Sequence, residues 1–103
     1  IKDVSLDDLV NAFQKFLERK KEDEPVNTKI TKKELSVEEK IDEIRRVFKN
    51  KHRINFLELF NANSKPNLVV TFLAILELAK KEEIKIIQED NFAEIVCEVV
   101  NGS

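Results

Sequence analysis

The chain has 103 residues, with 20 acidic and 18 basic side chains and a net charge of −2. That length allows one hydrophobic core but not two, and the near balance of charge excludes global attraction to nucleic acid or an acidic membrane surface. One cysteine excludes an internal disulfide and no apolar run approaches the roughly 20 residues that span a bilayer, so a cytosolic protein is expected.

Ile1 opens the chain without a methionine or a cationic-then-apolar leader, which predicts a piece of a longer polypeptide. Leu6, Leu9, Val10, Phe13, Phe16 and Leu17 then recur at helical spacing, with Ser5 as N-cap and acids in the first turn. The charged run ERKKEDEPVN (18–27) contains Pro25 and no apolar period. It should end this 6–24 helix and serve as a linker, which puts a boundary near residue 25. Residues 1–25 are thus expected as an amphipathic helix plus linker, and 28–100 as the main domain.

Short alternation in TKITKKEL predicts a strand over 28–34. Ser36 and Glu39 have the spacing of a capping box, and Val37, Ile41, Ile44 and Phe48 form one stripe of a helix from 37 to about 49. HRINF breaks that period, and Phe56, Leu57, Leu59 and Phe60 predict a short helix. In NANSKPN, Ser64 can cap and Pro66 can open a helix over about 65–82. IKIIQ (84–88) and EIVCEVV (94–100), joined by EDNFA, read as two strands and a loop. Helix, short strand, helix, helix, strand, loop, strand is the order of a winged helix: mainly α with a small β-sheet, an α+β fold, preceded by an amphipathic helix.

Reactive groups are sparse. The chain has one histidine (His52), one cysteine (Cys97) and one glycine (Gly102, in the tail), so no glycine loop can cradle a phosphate. His52 reads as a solvated turn residue, and Cys97, in a strand, as a small buried hydrophobe. Zinc would need several Cys or His at close spacing. The acid pairs Asp7/Asp8, Glu38/Glu39 and Glu89/Asp90 read as helix caps and solvated charge rather than cation ligands. No catalytic residue, metal or cofactor is therefore expected. The stretch RRVFKNKHR is basic, and residues 40–53 carry a surplus of four positive charges. Arg45, Arg46, Lys49, Lys51 and Arg53 are candidate phosphate contacts of a DNA-binding winged helix. The competing reading is the cationic C-terminus of the 37–49 helix, favoured by its dipole. Base readout would need polar side chains on the 65–82 helix, where Val, Ala, Leu and Glu77 stand instead.

That helix carries two apolar stripes. Leu68, Thr71, Ile75, Leu78 and Ala79 form one; Val69, Phe72, Leu73 and Leu76 lie beside them, and the two cover an arc of about 220°. A surface helix usually presents a narrower stripe to its core. Either the second stripe meets a partner, or the helix is buried on two sides within its own domain, between the first helix of the winged unit and the 6–24 helix. On the partner reading, Phe72→Arg keeps the fold and Ile75→Arg unfolds it.

VVTFLAILELAKKEEIKIIQEDNFAEI, with SVEEKIDEI about 30 residues upstream, resembles the C-terminal region of segregation and condensation protein A, the bacterial and archaeal kleisin. The T-F-L-A-x-L-E-L helix, the apolar-K-apolar strand and Q-E-x-x-F-x-x-I carry the resemblance, which covers 28–100; DLVNAFQKFLERKK resembles the segment upstream. KKEEI departs from a family that often has a glycine before the strand. The resemblance implies a non-enzymatic, protein-binding winged helix that docks on the ATPase head of a structural maintenance of chromosomes (SMC) protein. The wider chain would recruit segregation and condensation protein B through its middle region, mostly missing here, and close a ring around DNA in the cytoplasm at the nucleoid. It also implies that Phe72 and Leu76 fall where kleisins meet the head, which assigns Val69, Phe72, Leu73 and Leu76 to the partner face. DNA would then be an indirect partner, with no membrane involved.

Overall fold

The computed structural model describes residues 2–23, 36–61, 64–90 and 93–100. Strand β1 (Lys2–Asp3) leads into helix α1 (Leu6–Asp23). Ser5 Oγ accepts the Asp8 N–H at 3.1 Å and Asp8 Oδ2 accepts the Ser5 N–H at 3.3 Å, so two of the helix-end donors are satisfied reciprocally. Helix α2 (Val37–Asn50) opens on the expected capping box: Glu39 N–H to Ser36 Oγ at 3.1 Å and Ser36 N–H to Glu39 Oε1 at 3.2 Å.

After α2 come strand β2 (Arg53–Asn55) and a single 3-10 turn, Phe56–Leu59, capped by Asn55 Oδ1 on the Leu57 N–H at 3.0 Å. Helix α3 (Lys65–Lys80) starts with Ser64 Oγ accepting the Asn67 N–H at 3.3 Å and Pro66 in the first turn. Strands β3 (Ile84–Gln88) and β4 (Val96–Val99) complete an antiparallel sheet of order β1-β3-β4-β2.

The winged-helix order holds, with two strands added among the described residues. The strand between its first two helical pieces is Arg53–Asn55, where sequence periodicity gave only a break; the strand expected over 28–34 lies outside the described residues. β1 was not anticipated. Both additions are too short to show alternation and owe their conformation to pairing: Ile54 sits opposite Cys97, and Asp3 opposite Ile87.

Helix α2 packs on α3, and α3 on β3. Between them lies a core of Ile41, Ile44 and Phe48 from α2, Leu68, Ala74, Ile75 and Leu78 from α3, Ile54, Phe56, Ile84 and Cys97. Leu9 and Phe13 of α1 enter the same core. Thr71, also buried, donates its hydroxyl to the Asn67 carbonyl at 2.9 Å, which removes the cost of a lone buried hydroxyl.

Candidate partner-docking face

Residues one turn apart on a helix share a face, and α3 divides accordingly. Leu68, Thr71, Ile75 and Leu78 are fully buried. On the outward face, Val69 is 37% and Leu73 45% exposed, with Leu76 half-buried beside them and the exposed ammonium groups of Lys65 and Lys80 at the two ends. Apolar side chains flanked by charge are the arrangement of a small docking patch, an apolar centre with a polar rim.

Phe72 stands at the border of that patch and is only 9% exposed. Its ring stacks on Phe13 of α1, centroids 4.8 Å apart and 13° from parallel, and meets Phe56 edge-on at 6.3 Å. Phe13 also leans on Phe60 at 5.1 Å, and Phe16 on Phe60 at 5.6 Å. Part of the surplus surface of α3 is therefore covered by the chain's own first helix, as the two-sided burial reading expected. The four residues assigned to the partner face thus divide into Val69 and Leu73 open, Leu76 intermediate, and Phe72 beneath α1. Hydropathy alone does not reveal the aromatic cover. Its one sequence signal is the i, i+3 aromatic pair Phe13/Phe16 on the apolar stripe of α1.

Of the five basic candidates, Arg45 and Arg53 are engaged by carboxylates. The Arg45 guanidinium donates to Glu83 Oε1 at 2.8 Å and Oε2 at 2.7 Å, and to Asp42 at 3.2 Å. That bidentate pair holds the Glu83 carboxyl below its ordinary range and raises the guanidinium above its own. Arg53 meets Glu89 at 3.4 Å and Glu98 at 3.8 Å. Arg46, Lys49 and Lys51 are exposed at the end of α2, and Lys49 lies in the last turn, where the helix dipole favours a cation.

His52 is exposed and lines a shallow recess of about 310 Å³ with Phe48, Leu78 and Val99. Burial pushes the Cys97 thiol up to about 12, so it is no thiolate nucleophile at neutral pH. Of the acid pairs, Asp8 and Glu39 close capping boxes and Glu89 accepts from Arg53. Among the described residues no three His, Cys, Asp or Glu side chains converge as metal ligands, and no helix is long and apolar enough to cross a membrane.

The family model for segregation and condensation protein ScpA matches residues 2–100. The chain belongs to the ScpA family. Among curated ScpA proteins it is 48% identical to that of Bacillus velezensis over 93 residues, covering 89% of this chain and 37% of the relative. The Listeria monocytogenes protein is 43% identical over 95 residues (90% and 38%), and that of Bacillus subtilis 45% over 93 (89% and 37%). The chain thus spans little more than a third of the length of the curated ScpA relatives it matches. A solved structure of an Smc head bound to the C-winged helix domain of ScpA is also similar, at 28% identity and a TM-score of 0.47, covering 62% of this chain and 93% of that one.

Proposed function

We propose that this chain is the C-terminal part of a kleisin, and that the outward face of α3 docks on the ATPase head of an SMC protein. The single observation that carries the reading is the pair Val69 and Leu73, exposed on the helix whose T-F-L-A-x-L-E-L sequence carries the family likeness. Leu76 extends the patch and Phe72 borders it. Withdrawing one such side chain from water contributes about 1–2 kcal/mol, so a patch this small acts as the anchor of a wider contact with a polar rim.

On this reading, residues 28–100 form the winged-helix unit and 1–25 belong to the middle region, whose helix folds back on it. The chain performs no chemistry: its contribution is geometric, as one end of a strap that closes a ring of SMC proteins around chromosomal DNA. Segregation and condensation protein B would be recruited by the middle region, DNA would be held indirectly, and the site of action would be the cytoplasm at the nucleoid. The ion pairs of Arg45 and Arg53 support the indirect role of DNA, since two of five candidate phosphate ligands already face carboxylates.

The test is retention of the purified chain on immobilised cognate SMC head, beside a duplex DNA column at physiological salt. The reading predicts retention by the head, loss of it in the double variant Val69→Arg/Leu73→Arg with unchanged circular dichroism, and no firm retention by DNA. Tight duplex binding without head binding would reverse the assignment.

A further inference from the structure

Phe72 belongs to two surfaces at once. It sits one turn from Val69 and Leu76 on α3 and next to Leu73, which makes it the natural floor of the exposed stripe. Yet Phe13 lies nearly flat on it and closes that side of the stripe. What fixes α1 is mainly side-chain contact: Leu9, Phe13 and Phe16 against the Phe56, Phe60 and Phe72 cluster. Its backbone anchorage lies at the N-terminal end, in the short β1–β3 pairing and the Val4 N–H to Ile86 carbonyl bond at 3.4 Å. At the other end, residues 24–35 separate it from the capping box of α2.

We infer that α1 is a cover over the Phe72 border of the docking face, competing with the SMC head for that ring. The inference rests on the docking reading above and adds regulation to it. With α1 closed, the head meets only Val69, Leu73 and Leu76. With α1 lifted, Phe72 joins them in one continuous apolar face at i, i+1 and i, i+3 or i+4 spacing, and a side chain of the head takes the place of the Phe13 ring. Lifting α1 gives up the packing of Leu9, Phe13 and Phe16 and strains the β1–β3 pairing, so the closed form dominates in the free chain and a change that weakens α1 raises the open fraction. A partner that binds only the open form sees its affinity reduced by the fraction of chains that are open. Events elsewhere on the segment holding α1 therefore tune attachment of the head without touching the interface.

Two measurements test this on the whole chain with the cognate SMC head domain. In hydrogen exchange, binding of the head should lower amide protection in α1 while β3 and β4 keep theirs. In titration calorimetry, Phe13→Ala should bind the head about tenfold more tightly, the open fraction having risen by that factor. A head-bound complex in which α1 keeps or gains protection overturns the inference, as does a folded Phe13→Ala variant with equal or weaker affinity. If Phe13→Ala fails to fold, exchange on the unmodified chain decides alone. A head that binds while α1 stays closed defeats only the cover; a head that binds no form of the chain defeats the docking reading and the cover with it.

Discussion

Glu82 has φ 62°, the left-handed region where a side chain crowds the following carbonyl. The position follows from how α3 ends: the Glu83 N–H reaches the Leu78 carbonyl and the Glu82 N–H the Ala79 carbonyl, both at 3.0 Å, which is a Schellman close with Glu82 where glycine usually stands. Glu82 lies in KKEEI, just before β3, and the backbone makes the turn there while accepting the strain. Glu82→Gly should therefore stabilise the fold by about 1 kcal/mol and raise Tm by several degrees in thermal denaturation. Cys97 tests burial at the same scale. With no exposed surface and a thiol pushed up to about 12, it should resist a disulfide reagent in the native protein and react with one equivalent once guanidinium unfolds the chain.

Between elements, the Arg45–Glu83 pair ties α2 to the turn that launches β3. The hydrogen bonds from Arg45 are the main reason the Glu83 carboxyl lies below 4.5, its ordinary value. A depressed carboxylate contributes stability above its unfolded pKa and loses it as pH falls through the folded one. The Tm gap between wild type and Glu83→Gln should thus be constant from neutral pH to about pH 5 and close below that. Within α3, Ile75→Arg and Phe72→Arg should both destabilise the fold by several kcal/mol, since each puts a charge among buried side chains. Val69→Arg and Leu73→Arg should stay within about 0.5 kcal/mol of wild type in urea denaturation, as surface changes do.

Phe72 marks the limit of what periodicity reveals at this scale. The caps at Ser5, Ser36 and Ser64 were legible because they rest on contacts three residues apart. The helices and both wing strands were legible from period. The burial of Phe72 depends on Phe13, 59 positions away in sequence, which the apolar character of its stripe does not reveal. Strand β2 was hidden for a related reason: three residues cannot display alternation, and their pairing partner is 43 positions downstream, Ile54 on Cys97.

As a whole, the molecule is a winged helix whose α3 presents an apolar outward face. Carboxylates engage Arg45 and Arg53, while Arg46, Lys49 and Lys51 stand exposed at the end of α2, and Val69 and Leu73 offer apolar surface where a DNA reader would carry polar side chains. The central claim is that this open face is the attachment point of the SMC head. The most direct measurement is calorimetric titration of the cognate head into wild-type chain and into Leu73→Arg, with folding of both verified by thermal melting. Saturable binding by wild type and a loss of at least tenfold in the folded Leu73→Arg variant is the result predicted; equal affinity of the two for the head would contradict it.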